Sequence, residues 1–333
     1  MIPNGILIKF FWIVFVSLCC VFVSPFIGMQ FINPFSLAEN ELQRRILFSI
    51  RIPRTIIGFL AGGGLSLCGM TLQAMFRNPL AEPFTLGISS GAACGAALTI
   101  LLGVASQFQG FPVITIGALL GAFIAIALVF SFAKAHRYTD SHSILLSGIV
   151  VSFLFSSIMM FVQYLSNLRD SFYIVRWLMG GLETYGYGQI VIMFAFVCVG
   201  SCIIFFKLPE IDQLLTGEDI AQSRGVNVAK TKFILLFAVT CIAGGIVASC
   251  GPISFIGLIV PYIARNIFII NHRVLGPVCF ILGGSFLVIC DTMARTIFAP
   301  MEIPVGVITS LIGAPFFLWL LLFKKRKIQR GMF

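Results

Sequence analysis

Few residues in this 333-residue chain could do chemistry on a bound molecule: twelve acids, three histidines and ten cysteines, set among 59% hydrophobic residues. His136, His142 and His272 fall in loops or at the ends of apolar stretches, so no haem or metal relay across a bilayer can be built from them. All the cysteines lie inside apolar stretches, with no CxxC pair and no Cys/His cluster at metal spacing. That pattern predicts small core residues, no disulfide framework and no bound metal or other cofactor. A glycine-rich phosphate loop with its Lys and Ser/Thr, an HExxH and a Gly-x-Ser-x-Gly are all missing, so no residue set binds nucleotide or breaks a bond by a recognisable route. The chain therefore reads as a non-enzyme. Among the acids only Asp291 falls within an apolar stretch, about two turns from its end, with Arg295 four residues on as a helical partner. Proton-coupled carriers place ionisable side chains along their path. A driven cycle here needs energy from another chain, most simply an ATPase.

The elements that carry these residues are membrane spans. Charged residues make up only 10% of the chain and mean hydropathy is +1.05, a balance no soluble domain needs. The fold class is an all-α polytopic membrane protein. Ten stretches can span: about 6–29, 54–76, 84–104, 112–133, 143–165, 188–206, 231–250, 253–270, 274–298 and 303–323. Lys9 and a long apolar run without a small-residue cleavage site make the first a retained span, not a signal peptide. An even number puts both termini on one side, and the Lys324-Lys325-Arg326-Lys327 cluster makes that side cytoplasmic. Of the 22 basic residues, 15 then lie inside and 7 outside. A net charge of +10 dispersed in this way is topology, and nucleic acid is not expected as a partner.

Four features stand out. In Arg51 to Gly95, two spans are joined by a loop with Pro79 and Pro83, most simply as a helical hairpin. Gly87, Gly91 and Gly95 recur at intervals of four and offer a face for close helix packing. Arg51, Arg54 and Arg295, outside against the positive-inside bias, could present a basic rim to acidic groups on a soluble partner. Alternatively they snorkel and pair with Asp291, Glu302 or lipid phosphate. Residues 207–230 read as two short cytoplasmic amphipathic helices broken at Gly217 and Gly225, a surface suited to a partner protein. The apolar hexamer Trp177 to Leu182 reads as a half-helix at the outer interface.

Several motifs resemble one family. They are Arg51-Ile52-Pro53-Arg54; Arg77-Asn78-Pro79-Leu80-Ala81-Glu82-Pro83 followed by Leu86-Gly87-Ile88-Ser89-Ser90-Gly91-Ala92; and Trp177-Leu178-Met179-Gly180-Gly181. Further on come Gly217-Glu218 with Arg224-Gly225-Val226, the run Gly251 to Pro261, His272-Arg273, Asp291 to Arg295, Glu302 to Thr309, and Gly313-Ala314-Pro315. From about residue 40 to 323 the chain resembles the FecCD or BtuC-like permeases of binding-protein-dependent ABC importers for iron-siderophores, haem and cobalamin.

The resemblance implies a BtuC-like, type II importer fold in a single permease domain, residues 1–333, acting as a homodimer in the cytoplasmic membrane of a prokaryote. An ATP-binding subunit would sit below and a soluble or lipid-anchored binding protein above. The segment 207–230 would be the coupling loop, with Gly217, Glu218, Asp219, Arg224 and Gly225 at the ATPase. Arg51, Arg54 and Arg295 would meet the binding protein. Helices 143–165 and 303–323 would line the path, with Asp140, Ser141 and His142 at the inner gate, although some members have small hydroxyl residues where Asp140 and His142 stand here. The function expected is passage of an iron(III)-siderophore, haem or cobalamin, and the alternative is an ATPase-independent carrier or channel. Glu218→Lys is expected to uncouple transport with the protein still in the membrane.

Overall fold

The computed structural model describes residues 4–28, 30–34, 40–103, 107–108, 111–135, 141–183, 186–267 and 272–328. Asp140 and His136 lie outside the described residues. Lipid offers no partner for a backbone N–H or C=O, so apolar runs of this length close their hydrogen bonds within helices. The helices are α1 (Asn4–Val23), α2 (Glu41–Ile46), α3 (Ile52–Phe76), α4 (Ile88–Leu101), α5 (Val113–Ala135), α6 (Ser141–Leu165) and α7 (Leu168–Leu178). They continue as α8 (Gly188–Phe206), α9 (Leu208–Thr216), α10 (Glu218–Ser223), α11 (Val228–Cys250), α12 (Ile256–Ile267), α13 (His272–Thr296) and α14 (Val305–Ile328). Extended pairing among the described residues is one antiparallel bridge, Gln107–Phe108 with Phe111–Pro112.

Six helical segments are long and apolar enough to cross a membrane: Glu41–Phe76, Val113–Ala133, Ser141–Leu165, Gly188–Phe206, Val228–Cys250 and His272–Thr296. Four shorter apolar helices, Phe11–Phe26, Ile88–Leu101, Ile256–Ile267 and Val305–Leu320, occupy the remaining stretches expected from hydropathy. The first of the six joins α2 to α3 through a π-helical turn, Leu47–Arg51. The wider turn leaves carbonyls for outside donors: Phe48 accepts from the Tyr187 hydroxyl at 3.0 Å and Ser49 from the Gly186 N–H at 2.9 Å. At its far end the rod stops on Arg77, in the left-handed conformation at φ 49°.

Burial separates a frame from a periphery. The most apolar windows of the α2–α3 rod and α11 are 83% and 78% buried, against 22% for α6. Glycine sets the frame's contacts. A Cβ on Gly62 would run into the Gly283 carbonyl of α13, and one on Gly69 into the Gly257 carbonyl of α12, so these backbones touch with no side chain between them. The main neighbour of α3 is thus α13, while α4 packs on α5. The expected α3–α4 hairpin is therefore not formed: the small-residue faces of the two helices match other partners, and a 3-10 turn, Pro83–Leu86, leads the chain away. Gly91 and Gly95 lie against Gly121 and Gly117 of α5. Gly87 precedes α4 instead, at φ 78°, and faces α6 at Val151.

The Trp177 hexamer also differs from expectation. The helix lies mostly upstream, as α7, and Gly180-Gly181 unwind the remainder. The Gly181 N–H donates to the Cys250 carbonyl at 2.8 Å and Gly306 to the Gly180 carbonyl at 3.3 Å. The unwound 179–181 thereby joins the end of α11 at Cys250 and the start of α14 at Gly306, which satisfies its backbone as non-helical chain inside a membrane protein requires.

Candidate functional site

At one end of the bundle Asp291 gathers two arginines. The guanidinium of Arg54, from the first turn of α3, places Nε and Nη2 each 2.9 Å from Asp291 Oδ1, and Arg295 places Nε 3.0 Å from Oδ2. All three side chains are buried. An ionised carboxylate out of water is tolerated only with such partners. Arg54 also donates from Nη1 to Glu302 at 2.6 Å, and that carboxylate is half-exposed. Arg295 reaches back to the Ile27 carbonyl at 3.3 Å and Ser24 Oγ at 3.2 Å. Half-buried Arg51 donates to the carbonyls of Pro25, Phe26 and Gln30. The three arginines singled out in sequence are thus brought together, with Arg54 and Arg295 turned onto Asp291 as the pairing alternative has it.

Beside the unwound segments lie two cavities. One, of about 1120 Å³, is lined by Arg169, Tyr173, Arg176, Trp177, Glu183 and Ser249 among others. Arg176 pairs with Glu183 at 2.8 Å, and both are exposed. The other, of about 400 Å³, is lined by Phe84, Met179, Pro252, Ser254, Val307 and Ser310 among others, with the two serine hydroxyls 3.0 Å apart. The second is weakly polar, with hydroxyls but no charged lining group. Among the described residues no group of three His, Cys, Asp or Glu side chains could hold a metal. Glu82, read in sequence as a loop residue, is buried, and its carboxylate accepts the Phe255 N–H. The proline-flanked motif around it was the available signal.

At the opposite end, 207–230 forms the two short helices expected, α9 and α10. Gly217 turns between them at φ 125°, a conformation suited to glycine, and a Cβ there would lie 3.7 Å from an Arg77 guanidinium nitrogen. Leu208, Ile211, Leu214 and Ala221 are buried, while Leu215 and Ile220 remain 42% and 45% exposed among exposed Asp219, Arg224 and Gly225. Asp212 anchors the start of α13, taking the His272 N–H at 3.1 Å and pairing with its Nδ1 at 2.6 Å.

Glu218 does not point outward. Its Oε2 lies 2.6 Å from Nζ of Lys232, which is 1% exposed on α11, and its Oε1 accepts from Ser141 Oγ, 2.7 Å away at the start of α6. Burial raises the Glu218 carboxyl, but Lys232 and Ser141 together outweigh it and hold the group below its ordinary value. Ser141 also donates to the Met75 carbonyl at 3.4 Å, whereas His142 beside it is exposed. Neither the Lys232 nor the Ser141 contact with Glu218 was read from sequence.

The profile of the FecCD transport family matches residues 11–323. The cobalamin import system permease protein BtuC of Halobacterium salinarum is 38% identical over 89% of this chain and 79% of its own length. The vitamin B12 import system permease protein BtuC of Salmonella typhi is 36% identical over 89% of each. An uncharacterised ABC transporter permease protein of Bacillus subtilis, YvrB, is 34% identical over 87% of this chain and 82% of its own length. A solved metal-chelate type ABC transporter in an inward-facing conformation superposes with a TM-score of 0.81 at 29% identity, covering 93% of this chain and 98% of that one. With its apolar spans and its match over nearly the whole chain, this protein belongs to the FecCD transport family, as a multi-pass membrane permease subunit of the ABC-importer type.

Proposed function

We propose that the chain, as one permease domain over 1–333 and as a homodimer, passes a bulky metal chelate inward across a prokaryotic cytoplasmic membrane, with both termini in the cytoplasm. The chelate is an iron(III)-siderophore, haem or cobalamin, and the names of two relatives, a cobalamin and a vitamin B12 import permease, support testing cobalamin first. The observation that carries the coupling part is the exposed edge of α9 and α10. Leu215 and Ile220 stay uncovered between Asp219 and Arg224 while their neighbours are buried, which is what an ATPase subunit docked at 207–230 would cover. The weakly polar cavity at Ser254 and Ser310 supports a path that releases its cargo.

On the outer face, Arg51, Arg54 and Arg295 are assigned to binding-protein docking, with Glu302 as the exchangeable counter-ion. An acidic side chain of the binding protein would replace Glu302 at Arg54, leaving the Asp291 pair in place. Ser141 and His142, with Asp140, are assigned to the inner gate, and ATP-driven movement of the partner would switch the helices as rigid bodies. A carrier working alone is disfavoured because Asp291 is already neutralised by two arginines. The test is uptake of labelled ferric siderophore, haem and cobalamin into proteoliposomes holding the permease and its co-purified ATPase, with ATP inside and candidate binding proteins outside. ATP-dependent accumulation of one chelate is expected; accumulation without ATP or ATPase would overturn the reading.

A further inference from the structure

α6 is lightly covered along its length, and its tip at Ser141 is tied to its neighbours by few polar contacts. Its best apolar window is only 22% buried. Among the described residues, α6 is joined to other elements by the side-chain hydrogen bonds Ser141 to Glu218 at 2.7 Å, Ser141 to the Met75 carbonyl at 3.4 Å and Ser152 to the Phe84 carbonyl at 3.4 Å. The short one ends on a carboxylate, and a charge-assisted bond of this kind is roughly twice as strong as a neutral one.

That carboxylate is not free to follow α6 alone. Its other oxygen is fastened at 2.6 Å to Lys232, whose ammonium is buried on α11. The main chain then fixes Glu218 in direction, because Gly217 turns at φ 125° and α10 begins at Glu218 itself. One side chain thus joins α10, α11 and α6. Farther along α6, Gly148 lies against the backbone of Thr85 and Leu86, where a Cβ would stand 2.8 Å from Leu86 Cα. Seven residues, or about 10 Å of helix, separate that close contact from Ser141. α6 is therefore pinned about two turns in, at Gly148, and tethered at its tip.

We infer that Glu218 is a latch that carries displacement of α10 to the tip of α6 through the Ser141 hydroxyl, with Lys232 as its fixed anchor. In this role Glu218 and Ser141 are positioning residues, and neither needs to touch the ATPase or the cargo. The inference rests on the proposed importer reading for its functional meaning, since that reading makes α10 the site of ATPase contact and α6 the wall of the path. The mechanical link itself depends on that reading in no way.

Two measurements separate the latch from the importer reading. In the purified full chain, amide hydrogen exchange at Glu218–Ser223 is compared between the parent, Ser141→Ala and Ser141→Thr. Ser141 is 77 positions from Glu218, so a change that reaches those amides passes through packing and not along the chain, and Ser141→Thr, which restores the hydroxyl, ties it to the latch. Exchange is expected to quicken at least five-fold in Ser141→Ala and return toward the parent in Ser141→Thr. Unchanged exchange would overturn the latch whatever the chain transports. In proteoliposomes of the whole complex, ATP hydrolysed per chelate imported is expected to rise at least five-fold in Ser141→Ala, with recovery in Ser141→Thr. An unchanged ratio would overturn its role in coupling, while a parent that imports no chelate would count against the importer reading and leave the exchange result standing. Glu218→Gln alters the contacts with Lys232 and Ser141 together, which is why the serine variants carry the test.

Discussion

Arg54 and Asp291 lie 237 positions apart and meet with two guanidinium nitrogens on one carboxylate oxygen, each at 2.9 Å. The other oxygen belongs to Arg295. A single buried anion therefore clamps the start of α3 to the end of α13. Asp291→Asn would leave two buried cations facing each other, and breaking a buried pair in this way costs about 3–5 kcal/mol. Thermal unfolding in detergent should show that loss, with part regained by adding Arg54→Met. An Asp291→Asn protein that melts with the parent would show that the cluster contributes nothing to stability.

Glycine contacts give a sharper contrast. Gly62→Ala forces a methyl into the Gly283 carbonyl and should destabilise by about 1–3 kcal/mol or more, whereas a methyl at Gly188 meets nothing within 4 Å. The yield of folded, monodisperse protein should fall for the first and hold for the second. Equal behaviour would contradict the backbone contact between α3 and α13.

The Glu218 ion pair has a defined acid limb. Its folded carboxyl titrates below the unfolded value of about 4.3, so the stabilisation is fully present above that value and is lost as pH falls through the folded one. The gap in melting temperature between the parent and Glu218→Gln should accordingly be widest near neutral pH and close on acidification. A gap that widens toward acid would reverse the assignment. The same contact alters the meaning of Glu218→Lys: a second ammonium beside buried Lys232 disturbs folding as well as coupling, so that variant is a poor probe of the ATPase interface.

Ile220 and Arg224 are the cleaner probes. Both are exposed, so Ile220→Asp and Arg224→Ala should move stability by no more than about 0.5 kcal/mol. Each should nevertheless weaken association with the ATPase by tenfold or more, about 1.4 kcal/mol, if this edge holds anchor residues of the interface. Retained co-purification at parental levels would move the docking surface elsewhere.

At the Arg54–Asp291 cluster, which the proposed topology puts outside, Glu302→Gln removes the half-exposed competitor for Arg54. Binding-protein affinity should rise several-fold at low salt and lose that gain as salt screens it. An affinity indifferent to Glu302 would remove Arg54 from the docking surface.

The helices were legible because hydropathy and length are local properties. Each apolar stretch found its helix, and Gly217 and Gly225 marked the breaks around α10. Partnership was not local. The loop through Pro79 and Pro83 told where α3 ends but not that its glycine face belongs to α13, so the hairpin was the wrong closure. Arg295 could be matched to Asp291 by its spacing of four, while Arg54 stood only in an alternative that offered Asp291, Glu302 or lipid phosphate. Lys232 looked like another cytoplasmic positive charge, and only the packing of α11 reveals it as a buried anchor. Gly180-Gly181 were visible in sequence, yet unwinding there depends on the carbonyls of 250–252 being in reach.

The rod from Glu41 to Phe76 runs 36 residues, about 54 Å of helix, while the hydrocarbon it crosses is about 30 Å thick. Standing upright, the rod would hold its excess length clear of the lipid as a mast, carrying Arg44 and Arg45 at its head. Its foot is Arg77, whose guanidinium rests over the Gly217 turn. A stiff mast cannot tilt at one end only: under the proposed topology, a partner leaning on its head outside would shift the ground under α10 inside, with no relay of side chains in between.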